Sequence, residues 1–79
     1  MNTIPTFVLS YLKSLVSDDP TIYEIILTPS SLDWGDVQDI TLVSESGMTS
    51  RRVFGFTPVT ATLTVCHDEE DGCEITQAA

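Results

Sequence analysis

The segment Cys66-His67-Asp68-Glu69-Glu70-Asp71-Gly72-Cys73 holds both cysteines of the chain, its single histidine and a run of four acids. Two thiolates and an imidazole are the usual ligands of zinc, although the spacing is not that of a zinc knuckle and only one such pair exists. A disulfide across a hairpin is the second chemistry open to these residues. Strand alternation opposes it: if Cys73 and Ile75 share the core face with Leu63 and Val65, Cys66 lies on the opposite face. The third is recognition, with the acids forming the tip of a hairpin. A solvated turn, bent at Asp71-Gly72, needs no chemistry at all.

Nucleophilic catalysis fits these residues poorly. A thiol needs a base within hydrogen-bond reach, and adjacent strand residues such as Cys66 and His67 point to opposite faces. The glycines stand alone at 35, 47, 55 and 72, so no phosphate-cradling loop is present. Twelve acids make a pair at glycosidase spacing uninformative. The expectation is a protein that is not an enzyme, with no catalytic residue, no cofactor and no bound metal.

A second candidate is Leu32-Asp33-Trp34-Gly35-Asp36-Val37-Gln38-Asp39, which brackets the sole tryptophan with acids. Tryptophan is enriched at binding hot spots, and functional residues gather on loops. The alternative is that Trp34 folds back over the edge of the core. Asp33, Asp36 and Asp39 recur every three residues, but the EF-hand pattern with its terminal glutamate is absent, so calcium is a weak reading. Arg51 and Arg52 are adjacent and on a strand point to opposite faces. One is expected to pair with Glu45 across a hairpin.

The elements that position these groups follow from periodicity. Ile4, Phe7, Val8, Tyr11, Leu12, Leu15 and Val16 repeat at helical spacing, which predicts an amphipathic helix over residues 4–17. Thr3 is its expected cap, with Pro5 in the first turn. Asp18-Asp19-Pro20 reads as a stop. Strands are expected at 22–28, 40–45, 51–56, 59–66 and 73–77, the first of them central. Ser46-Gly47-Met48-Thr49 is expected to join the second to the third. In the fourth, Val59, Ala61, Leu63 and Val65 alternate with Thr60, Thr62 and Thr64, giving one core face and one for solvent or a partner. Ser30 and Asp33 have capping-box spacing in the long connection between the first two strands. The fold class expected is α+β, a single domain over residues 1–79, with one N-terminal helix packed on a four- to five-stranded, mostly antiparallel sheet.

Charge narrows the partners. Twelve acids against three cations give a formal charge of -9 on a chain of 79 residues, while 42% apolar content argues for a real core rather than a disordered acidic tail. Direct contact with nucleic acid is disfavoured. The apolar stretch at 7–16 lacks the basic flank of a signal peptide and the length of a membrane span, so a soluble, cytoplasmic protein is expected, in the host cytoplasm if viral.

Carboxylates on one strand face repeat every ~6.6–6.8 Å and strands lie ~4.8 Å apart, a charge density approaching that of a phosphate backbone. In size, acidity and lack of motifs the chain resembles the small phage inhibitors of host defence, including anti-CRISPR and anti-restriction proteins. The resemblance lies in composition and transfers no residue. It implies a nucleic-acid mimic that occupies the basic groove of a nucleic-acid-binding enzyme or complex. The expected contact is Asp68, Glu69, Glu70, Asp71 and Glu74, with Asp33, Trp34 and Asp36 as a second. The alternative is a small viral or accessory assembly subunit, forming homo-oligomers through the edge at 73–77 or the threonine face.

Overall fold

The computed structural model describes residues 4–30, 36–55, 57–68 and 72–77, with backbone alone at residues 68 and 72–74. Helix α1 spans Thr6–Asp18 and is followed by five strands: β1 Glu24–Pro29, β2 Val37–Ser44, β3 Gly47–Phe54, β4 Ala61–Asp68 and β5 Gly72–Gln77. The fold is α+β, an N-terminal helix with a five-stranded antiparallel sheet.

Val8, Leu12 and Val16 repeat every fourth residue and form the buried line of α1. Ile4 and Leu15 pack beside them, partly buried. Phe7 and Tyr11, expected in the same stripe, are exposed at 58% and 38%. Each precedes a buried residue by one position, a rotation of roughly 100° around the helix, so the sheet covers only the narrower line. The helix begins later than expected. Pro5 is its N-cap, without a side-chain cap, and its carbonyl accepts from the N–H groups of Val8 and Leu9 at 3.0 and 3.2 Å. Thr3 lies outside the described residues.

The stop falls where the acids predicted it. The Asp19 N–H donates to the Leu15 carbonyl at 3.2 Å and closes the last turn. Its carboxylate then bends the chain, with Oδ1 accepting from the Thr21 hydroxyl at 2.6 Å and the Thr21 N–H at 3.1 Å. The hydroxyl first and the N–H second hold the Asp19 carboxyl below its ordinary value of 3.8.

Strand order is β3-β2-β1-β4-β5, with β1 central as expected. The first three strands form a meander, and the chain then crosses back over two strands to lay β4 beside β1, a Greek-key arrangement. On the helix side, Ile25 and Leu27 of β1, Ile40 and Leu42 of β2, and Ala61, Leu63 and Val65 of β4 join the α1 line and Ile22 in one core. The expected alternation of β4 holds, with Thr60, Thr62 and Thr64 exposed.

Two local expectations are corrected. The β2–β3 turn is Glu45-Ser46, because Ser44 faces Gly47 in the register, so Gly47, Met48 and Thr49 belong to β3. Neither turn residue takes a positive φ. Gly47, at φ 129°, supplies the conformation that the turn itself does not. In addition, β2 begins at Val37 rather than residue 40, and Ser30 donates its N–H to the Val37 carbonyl at 3.0 Å. The long connection shrinks accordingly. The Ser30/Asp33 capping box lies largely outside the described residues.

Gln38 explains the early start of β2. It is fully buried among apolar residues, on the same strand face as Ile40 and Leu42. Its amide forms a false strand pair with Val59 of the crossover: Oε1 accepts from the Val59 N–H at 2.7 Å and Nε2 donates to the Val59 carbonyl at 3.0 Å. Nε2 also reaches the Thr28 carbonyl at 2.8 Å and the Asp39 carbonyl at 3.2 Å. One side chain therefore ties β1, β2 and the β3–β4 crossover together.

Candidate interaction surface

An antiparallel sheet sorts its turns into two ends. Here the starts of β1, β3 and β5 and the finishes of β2 and β4 share one end, as the partners Glu24 and Val43, Ser44 and Gly47, Glu24 and Thr64, and Asp68 and Gly72 require. Helix α1 finishes there too, because only residues 19–23 separate it from β1. This end collects the acids. Asp18 and Asp19 close the helix, Glu24 opens β1 and Glu45 occupies the β2–β3 turn. Asp68 ends β4, and Glu74 lies two residues into β5. Glu69, Glu70 and Asp71 are outside the described residues, but the sequence places them between the register partners Asp68 and Gly72. Of the eight acids among the described residues, six lie in the turns or within the first three or last residues of the elements at this end, whereas Lys13, Arg51 and Arg52 lie further inside α1 and β3.

The opposite end differs in kind. Residues 55–60, which lead from β3 to β4, carry no charge. Asp36 is exposed beside the start of β2, whereas Asp33 and Trp34 lie outside the described residues. Asp39 is inside β2 and opposite Arg52, so it is not a loop ligand. Its Oδ1 accepts from Arg52 Nε at 2.9 Å. That pair replaces the expected one between Glu45 and an arginine. The two-residue turn fixes the register so that Arg52 faces Asp39 and Arg51 faces Ile40, while Glu45 is left in the turn. With both side chains partly exposed, the pair contributes about 0–1 kcal/mol. No group of three or more metal-ligating side chains occurs among the described residues.

The residues singled out around Cys66 separate as strand alternation requires. Cys66 is opposite Glu74 and Cys73 is opposite His67, so the two cysteines are not register partners. Cys66 is a free, exposed thiol. His67 is at the core-side position after Val65, with Nε2 3.0 Å from the Ile22 carbonyl. A carbonyl only accepts, so Nε2 carries the hydrogen. The imidazole therefore ties the end of β4 to the segment between α1 and β1. It is turned away from Cys66.

The two candidate patches also separate. The end of β4 at Asp68 and the start of β5 at Gly72 belong to one end and Asp36 to the other, with most of β2 between them. Seven steps at about 3.4 Å put that separation at about 24 Å, several Debye lengths at physiological salt. They are two separate stretches of surface, not one. Asp18, Asp19, Glu24 and Glu45, not singled out from sequence, belong with the tip instead.

Another surface feature is an apolar groove of about 550 Å³ between α1 and β3, lined by Phe7, Val8, Tyr11, Arg52, Val53 and Phe54. Its one charged side chain, Arg52, already binds Asp39. Among the described residues no helix is long and apolar enough to cross a membrane. No protein-family model, curated protein or solved structure matches the chain.

Proposed function

We propose that the chain is a non-enzymatic interaction protein whose acidic end enters a basic, nucleic-acid-binding groove on another protein and blocks it, as phage inhibitors of the anti-CRISPR and anti-restriction kind do. One observation carries the reading: among the described residues the acids are concentrated at one end of the sheet instead of being spread along it. Solubility alone needs net charge, not polarity. Gathering like charges raises their mutual repulsion, a cost that a basic partner would offset. Uncharged turns at 55–60 show that the fold does not demand acids wherever the chain reverses.

Asp68, Glu69, Glu70, Asp71 and Glu74 form the centre of the contact in this reading, and Asp18, Asp19, Glu24 and Glu45 extend it across the end of the sheet. Asp33, Trp34 and Asp36 serve a separate contact, reached only by a partner that spans the length of a strand. The partner is a basic protein and the chain does not itself bind nucleic acid or a membrane.

Capture of a nucleic-acid-binding protein from host lysate at about 50 and 300 mM salt tests this, with duplex DNA as competitor. The expected result is retention at low salt, release at high salt and displacement by DNA. Combined Glu69→Gln, Glu70→Gln, Asp71→Asn and Glu74→Gln substitutions should abolish capture, and Asp33→Asn with Asp36→Asn should weaken it far less. Capture that survives neutralisation of the tip, or that DNA does not displace, sinks the proposal.

A further inference from the structure

We propose that β3 is a self-association edge, which pairs antiparallel with β3 of a second copy across a two-fold axis at Ser50. Strand β3 is the outermost strand on its side of the sheet, and seven of its eight residues are exposed. It has no proline, and its only glycine is the first residue. Backbone alternation shows which groups are available. Gly55 donates its N–H to the Asp36 carbonyl across the β2–β3 ladder, so the odd-numbered residues of β3 turn inward and the even-numbered ones turn out. Met48, Ser50, Arg52 and Phe54 therefore present outward N–H and C=O groups, the template that an added strand pairs with, although the Ser50 carbonyl also accepts from Arg51 Nη1 at 3.3 Å, an exposed contact that pairing must displace or share.

Exposed apolar side chains flank this edge. Met48 is 71% exposed and Phe54 56%, while Phe7 and Tyr11 overhang the groove on its helix side. Among the described residues, Tyr23 is the one large exposed hydrophobic that lies elsewhere.

Charge selects a second copy as the occupant. Arg51 and Arg52 make this the least acidic edge of a chain whose formal charge is -9. A two-fold axis perpendicular to the sheet reverses the strands, so the two acidic ends point in opposite directions. Side-by-side pairing in the same direction would bring them together. The axis keeps each face on its own side, so the register must join even-numbered positions with even-numbered ones. An axis at Arg51 or Arg52 would oppose an arginine to itself, a like-charge pair. An axis at Ser50 places Arg52 opposite Met48 and Arg51 opposite Thr49 of the second copy, and brings Phe54 diagonal to Met48 of that copy. Sulfur–aromatic contact then closes the open-face side of the junction.

Sedimentation equilibrium of the full chain tests the pairing. The expected species has twice the 8.6 kDa chain mass. It should tighten as sodium chloride is raised, because salt screens the repulsion between copies, whereas capture of a basic partner loosens. Ser50→Pro removes an outward donor that the fold itself does not use, and Ser50→Lys opposes two ammonium groups across the axis. Each should weaken dimerisation at least tenfold with an unchanged far-ultraviolet circular dichroism spectrum. Thr76→Lys, on the other edge strand, should leave it unchanged. A wild-type chain that stays monomeric at millimolar concentration overturns the proposal, as does a dimer that tolerates both Ser50 variants or dissociates with Thr76→Lys.

Discussion

Replacing Gln38 tests the claim that one buried amide fastens the crossover to the sheet. Gln38→Met keeps the length and most of the volume of the side chain and removes all its polar atoms. Two hydrogens on Nε2 serve three carbonyls in the structure, at 2.8, 3.0 and 3.2 Å, and Oε1 accepts a fourth contact at 2.7 Å. The amide therefore makes effectively three bonds, each contributing about 1 kcal/mol net. The Val59 N–H is half-buried with no alternative acceptor shown, and leaving such a donor unpaired costs a further 1–3 kcal/mol at most. The Thr28 carbonyl belongs to an exposed residue and can turn to water, which moderates the loss. A destabilisation of about 3 kcal/mol follows, a large part of the roughly 4–12 kcal/mol expected for a chain of this length.

Gln38→Glu separates the hydrogen bonds from shape and adds a sign. The carboxylate still accepts from Val59, but it faces the carbonyls of Thr28 and Val59 without a hydrogen to offer. Burial and those dipoles raise its folded-state pKa above the unfolded value of about 4.3. The penalty is then absent below the unfolded pKa, grows as pH rises through it and levels off above the folded pKa. Urea titrations of the three proteins followed by circular dichroism, at pH 4 and pH 7, measure both effects. A Met variant within about 0.5 kcal/mol of wild type would refute the clamp, and so would a Glu variant whose deficit is the same at both pH values.

Two further predictions concern the acidic end. Asp19 has a folded-state pKa below 3.8, so its contribution to stability is present above the unfolded value and is lost as pH falls through the folded one. Asp19→Asn should flatten the acid limb of a stability–pH profile, and an unchanged limb would show that the Thr21 contacts do not persist in solution. Salt should raise the melting temperature, since two like charges 10 Å apart in water repel by about 0.4 kcal/mol before screening, and the screening length falls from about 10 Å at 0.1 M to about 3 Å at 1 M. Asp18→Asn with Glu45→Gln should reproduce part of that rise at low salt; a melting temperature indifferent to salt would mean that the acids at this end do not strain one another.

The elements that depend on period were legible in the sequence, and those that depend on partners were not. Val8, Leu12 and Val16 share a helical line, and Ala61, Leu63 and Val65 share a strand face, because periodicity places residues without reference to the rest of the molecule. Phe7 and Tyr11 satisfied the same rule and remained exposed, since the width of the buried stripe is set by what covers it. Arg52 and Asp39 are thirteen positions apart and pair only because the turn has two residues. No local pattern supplies that number. Gln38 carried a usable signal, a polar residue two positions before Ile40 on a face that continues to Leu42. Reading β2 as beginning at residue 40 hid it.

The gathering of the acids had a sequence signal of a different order. No window of the chain shows it, since Asp19, Glu45 and Glu74 are far apart in sequence and belong to different segments. It appears once successive strands are antiparallel, because alternate turns then share an end whatever their distance along the chain. The turns that share an end with the close of α1 hold most of the acids, and the uncharged crossover lies at the other. Gln38 works at that other end, where it locks the crossover to β1 and β2. The clamp is thus remote from the repulsion it must withstand, and a substitution at the acidic tip can change recognition without loosening the pin. Neutral variants of the tip should therefore fold at least as stably as wild type. Any loss of partner binding in them then reports on the contact and not on the scaffold.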